Sequence, residues 1–103
     1  MKYQLVIQFT EKLEGGFERL IEIEDELIEK LSTDAEVDGH DFGSGQMNIF
    51  VLTNQPLETF KQIIKILTSW KDTLTDMKAA YRNVEGEDYT CVWPNYLTEF
   101  NVT

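Results

Sequence analysis

The segment KYQLVIQFT at residues 2–10 sets the strongest limit on what this chain can fold into. Tyr3, Leu5, Ile7 and Phe9 fall on one side of an extended backbone, and Lys2, Gln4, Gln8 and Thr10 on the other with Val6. Alternation with a period of two is the pattern of a strand that buries one face. A sheet is therefore required, and another layer must cover its apolar side.

The covering layer is legible a few residues later. After Gly15 and Gly16, a helix is expected over about 17–31, with Phe17, Leu20, Ile21, Leu27, Ile28 and Leu31 forming one apolar stripe. Glu18, Glu22, Asp25, Glu26 and Glu29 lie away from that stripe. Glu24 does not, because at about 100° per residue it projects among Leu20, Ile21, Leu27 and Ile28. A carboxylate buried there must be paired, solvated by a cleft or protonated, since desolvation penalises the lone charge. Lys78 or Arg82 is the partner expected to neutralise it.

A short strand is expected over 35–40 and a glycine-rich turn through the run GHDFGSG. A strong strand follows at 46–53 (QMNIFVLT), apolar enough to be central. Pro56 in a first turn opens a second helix over about 56–71, with Leu57, Phe60, Ile63, Ile64, Leu67 and Trp70 towards one side. Residues 72–76 read as a loop. Strands at 77–84 and 89–93, joined by the turn EGED, form a hairpin, and Pro94 ends the last one. The order predicts an α+β fold: a ferredoxin-like βαββαβ sandwich, an antiparallel sheet with two helices on one face and an extra C-terminal strand. The 103 residues make a single domain, 1–103, with the tail 94–103 packed on it through Tyr96, Leu97 and Phe100.

Charge narrows the partners. Asp and Glu number 19 against 9 Lys and Arg, a net charge of −10. Such a surface repels phosphate backbones and anionic headgroups, which argues against nucleic acid and membrane and in favour of a basic protein. The segment MKYQLVIQFT is too short in its apolar run and too alternating to be expected to serve as a signal peptide, and no run approaches the roughly 18 apolar residues of a membrane span. The single cysteine, Cys91, suits a reducing compartment, so a cytoplasmic location is expected. It reads as a core thiol, with no local support for a Cys91–His40 pair.

Two places can carry chemistry. Asp38, His40, Asp41 and Ser44 in the glycine-rich run hold the only histidine, two carboxylates and a hydroxyl, a ligand-binding set. Within it Asp38, His40 and Asp41 are the metal candidates, and Glu24 or Glu36 would have to complete about three ligands. As catalytic candidates, His40, Asp41 and Glu24 would act as an oriented base and its partner. The plainer reading is that glycines shape the turn while Asp and Ser cap it. No cofactor is expected.

The acidic face of the first helix, Glu18, Glu22, Asp25, Glu26 and Glu29, extended by Glu11 and Glu14, is the candidate partner-binding surface. Like charges at such spacings cost a helix a few tenths of a kcal/mol per pair, which is a reason to look for a use.

The stretch DGHDFGSGQMNIFVLTNQP, from Asp38 to Pro56, resembles a segment of small uncharacterised bacterial proteins, some of them of the kind that act as immunity partners of secreted toxins. The resemblance implies a bacterial cytoplasmic protein that neutralises a partner and assigns no catalytic residue. Three functions thus stand open. The first is an acidic protein-binding module, an immunity-type inhibitor of a basic toxin or nuclease, and not an enzyme. The second is a small enzyme or ligand- or metal-binding domain using the His40 turn and Glu24. The third is a homodimeric structural domain joined through Val6, Phe50 and Leu52; the chain is a monomer or homodimer accordingly.

Overall fold

The computed structural model describes residues 1–102, apart from the side chains of Lys71 and Asp72. It is an α+β fold: strand β1 (Tyr3–Thr10), helix α1 (Gly16–Lys30), strands β2 (Ala35–Gly43) and β3 (Gln46–Thr53), helices α2 (Pro56–Leu67) and α3 (Lys71–Asp76), and strands β4 (Lys78–Asn83) and β5 (Thr90–Trp93). The strands make one antiparallel sheet in the order β2-β3-β1-β4-β5. The most alternating segment of the sequence is its central strand.

The alternation in β1 separates the two faces as expected. Leu5, Ile7 and Phe9 are fully buried under Leu20, Ile23 and Leu27 of α1 and Phe60 and Ile63 of α2, with Met47, Ile49 and Val51 of β3 beside them. Each of these buried aliphatic or aromatic side chains stabilises the fold by roughly 1.5–3 kcal/mol. Val6 belongs to a second, smaller cluster on the other face, with Ala80 and Phe100 and with Phe50, Tyr89, Cys91, Leu97 and Val102 partly buried around it. That face is covered by the C-terminal tail, which follows the cis Trp93–Pro94 peptide bond. Phe100 is buried in this cluster and Leu97 packs against it, whereas Tyr96 is exposed. Of the apolar residues read as a homodimer face, Val6, Phe50 and Leu52, Val6 lies within this cluster and Phe50 packs against it.

Three local expectations are corrected. The second helix ends at Leu67, and the segment read as a loop over 72–76 belongs to helix α3, tied to β1 where Asp76 accepts from the Thr10 backbone N–H and hydroxyl, both at 2.7 Å. Leu57, counted in the apolar stripe of that helix, is exposed. Finally, the glycine-rich run is mostly strand: β2 continues to Gly43, and only Ser44 and Gly45 make the turn. Both have positive φ, 52° and 77°, the geometry of a two-residue hairpin turn whose twist matches the flanking strands. Gly45 suits that position because an L side chain there would strain the backbone.

Candidate functional site

The site grows from the meeting of α1 with β2, the strand at one edge of the sheet. His40 pairs with Ile49 and so points to the helix-covered face, while its neighbour Asp41 pairs with Asn48 and points to the other. Asp38 sits between, at a bulge where the register shifts from Val37 to Gly39. Gly39, with φ of 128°, takes the backbone through a conformation other residues rarely adopt. The strand pleat thus divides the sequence-predicted set: His40 and Asp41 cannot hold one ion between them. Among the described residues no group of three or more His, Cys, Asp and Glu side chains stands ready for a metal.

What the fold does bring together is Glu24 and His40. Glu24 is 8% exposed, and its two carboxylate oxygens lie 3.0 and 3.1 Å from His40 Nδ1. An ionised carboxylate only accepts, so Nδ1 then carries the hydrogen, and in the neutral ring Nε2 keeps its lone pair. No other hydrogen bond to the His40 ring is made among the described residues. The expected neutralisation of Glu24 by Lys78 or Arg82 is therefore corrected. Lys78 pairs with Gln8 and Arg82 with Gln4, which puts both on the far face of the sheet. Arg82 is held there by Gln4 Oε1 and by the carbonyls of Asn83, Val84 and Gly86.

Aromatic rings border this pair beside the exposed His40. Phe17 meets the His40 ring edge-on with centroids 5.6 Å apart, and meets Phe42 at 5.7 Å. Phe17 is nevertheless 45% exposed and Phe42 66%. Further along the same side of α1, Ile28 is 61% exposed. The buried stripe of α1 is thus centred differently from the one the sequence suggested: Leu20, Ile23, Glu24 and Leu27 are inside, whereas Phe17 and Ile28 are outside. At about 100° per residue, Asp25, Glu18 and Glu29 follow Phe17, Ile21 and Ile28 around the helix, with Glu22 beyond.

The acidic face is therefore contiguous with the exposed apolar strip. Glu18, Glu22, Asp25 and Glu29 are exposed, and Glu26 takes Lys30 in an i,i+4 pair at 2.7 Å. The hydrogen bond to Glu26 holds the Lys30 ammonium above the ordinary lysine value, with attraction to that carboxylate adding to it. Sequence reasoning missed the apolar part of this surface. The signal available for it was the width of the stripe, since Phe17, Ile21 and Ile28 all lie to one side of Glu24.

The remaining predicted residues are elsewhere. Ser44 is the turn residue at φ 52°. Glu36 pairs with Leu52 on the face away from Glu24. Cys91 lies in the second cluster, opposite Ala80 on β4, with three strands between its own strand and that of His40.

No family model and no curated protein matches the chain. Among solved structures, a de novo designed protein, Foldit4, is similar at 18% identity and a TM-score of 0.48, over 84% of this chain and 100% of that one. No helix among the described residues is long and apolar enough to cross a membrane.

Proposed function

We propose that this chain is an acidic protein-binding module that receives a basic protein on the edge formed by α1 and β2. The observation that carries the reading is the exposure of Phe17, Phe42 and Ile28 along one border of a helix face of carboxylates. Single exposed apolar residues are ordinary, but neighbouring ones rimmed by charge are the form an interface takes. Phe17 and Phe42 supply the anchors, and Glu18, Glu22, Asp25 and Glu29 steer the partner in. A nuclease-type toxin fits this charge, because an acidic inhibitor can fill a cleft built for phosphate. A bacterial cytoplasmic immunity role is the specific form of the proposal.

The fold reading that accompanies it is a ferredoxin-like sandwich with an added edge strand. Its support is that β3 separates β1 from β2, and β1 separates β3 from β4, so each βαβ unit is split by one strand. Fold does not choose the function.

The test is capture from lysate at low and high salt, followed by association kinetics with the captured protein. A basic protein held at low salt and released at high salt is expected. Reversing Glu22, Asp25 and Glu26 to lysine slows association, and Phe42→Ala speeds dissociation about tenfold or more. Unchanged kinetics in both variants would remove the reading.

A second reading rests on the Glu24–His40 pair. A histidine oriented through Nδ1 by a buried carboxylate keeps Nε2 for a proton or a ligand. In this form the domain is a small enzyme or ligand-binding protein, and His40→Ala abolishes activity or metal binding in a folded protein. Absence of divalent-metal heat in calorimetry of metal-stripped protein eliminates its metal version.

A further inference from the structure

The face of the sheet turned away from the helices carries a polar row that neither reading above uses. Asp41 on β2, Asn48 on β3, Gln8 on β1 and Lys78 on β4 are successive cross-strand partners, so their side chains share that face. Asn48 is fully buried and Gln8 is 6% exposed. The next row towards the other end of the strands holds Val6 and Ala80 and is apolar. An amide in such a place costs about 1–3 kcal/mol for each group left unpaired, so the row calls for a reason.

The hydrogen bonds run in one direction. Asn48 Nδ2 donates to Asp41 Oδ1 at 2.9 Å, and Gln8 Nε2 donates to Asn48 Oδ1 at 3.0 Å and to the Asn101 carbonyl of the tail at 2.8 Å. Both hydrogens of the Gln8 amide are thereby used. Its Oε1 has no hydrogen-bond partner among the described residues. A chain of amides that ends on a carboxylate polarises each carbonyl in turn, which makes this last oxygen a strong acceptor. Gln8 also lines a cavity of about 430 Å³ between the sheet and the tail, together with Lys78, Tyr96, Thr98 and Glu99. That volume lies within the roughly 300–1,000 Å³ of small-molecule sites.

We propose that this cavity binds a small zwitterion of the α-amino acid class. The ligand carboxylate meets the Lys78 ammonium, and the ligand ammonium meets Gln8 Oε1 and the Glu99 carboxylate. A simple anion would satisfy Lys78 but face Glu99 and leave the Gln8 oxygen unpaired. A simple amine would leave Lys78 without a partner. Only a molecule with both charges uses all three groups.

The experiment is a titration of isotope-labelled protein with a panel of free α-amino acids, read by NMR on the side-chain amides of Gln8 and Asn48. At least one amino acid is expected to shift both signals at millimolar concentration. Its N-acetyl derivative and its decarboxylated amine, each lacking one charge, bind about tenfold or more weakly, as does the parent ligand to Lys78→Met. Lys78 and Glu99 are exposed, so Lys78→Met and Glu99→Gln keep the fold even where Gln8→Leu disturbs it. The proposal is overturned if no amino acid moves these signals, which leaves water on the Gln8 oxygen. It is equally overturned if the single-charge analogues bind as well as the parent, or if Lys78→Met leaves the affinity unchanged. None of these results bears on the α1–β2 surface.

Discussion

On one side of the sheet, Leu5, Ile7 and Phe9 are sealed by two amphipathic helices in a mostly apolar core, with Glu24 and the Thr53–Thr59 hydroxyl pair as buried polar exceptions. On the other side, Val6 and Ala80 share the central strands with Gln8 and Asn48, and the cover is a tail without helix or strand. The first side is stabilised chiefly by buried apolar area. The second depends on hydrogen bonds being completed, because amides buried without partners oppose folding. A face built this way gives up some stability, and it gains chemically defined positions.

The largest effect should separate the two sides directly. Phe9→Ala opens a cavity in the helix-side core and is expected to cost about 3–5 kcal/mol in urea unfolding. Phe100→Ala should cost about 1–2 kcal/mol, because the tail can settle into the space it leaves. Equal losses would mean that the tail is as integral to the core as the helices are.

The next test compares how each side manages a polar group. His40→Ala leaves the Glu24 carboxylate buried and alone, at a cost of about 1–3 kcal/mol. Glu24→Leu removes the charge, and stability should stay within about 1 kcal/mol of the parent or rise above it. On the tail side no such escape exists. Asn48→Ala strands both Asp41 and Gln8 and should cost about 1–3 kcal/mol, with increased hydrogen exchange near Asn101, whose carbonyl Gln8 holds. If Asn48→Ala is neutral, the polar row is decoration and the contrast between the faces fails.

These contrasts also explain what could be read from the sequence. Strand β1 was legible because alternation is a local signal, and so was Val6 as its exception. Glu24 was legible as a misfit in an apolar stripe. Its partner was not, because strand pairing decides which residues share a face. Lys78 and Arg82 were placed beside Glu24 by charge, whereas the register of β4 with Gln8 and Gln4 turns both away. The same limit applies to Asp38, His40, Asp41 and Ser44. Their proximity along the chain suggested one site, and the pleat of β2 sends His40 and Asp41 to opposite faces. Ile23 was missed because the buried arc of α1 is set by where α2 lies, which no property of α1 alone reveals.

A smaller effect is expected at the hairpin turn. Ser44 holds a left-handed conformation that asparagine adopts more readily, so Ser44→Asn should raise stability by roughly 0.5–1 kcal/mol. Loss of stability would instead show that the serine hydroxyl is needed where it stands.

The smallest change in stability belongs to the residue on which the proposed function depends most. Phe42 is two-thirds exposed and touches Phe17 at the rim of the site, so Phe42→Ala should move the unfolding free energy by no more than about 0.5 kcal/mol. A core aromatic and a docking aromatic are distinguished by this ratio. The first loses stability when truncated, and the second loses only its partner. If Phe42→Ala unfolds as easily as Phe9→Ala, Phe42 is a structural lid on the Glu24–His40 pair, and the α1–β2 edge is closed packing that has no surface to offer a basic protein.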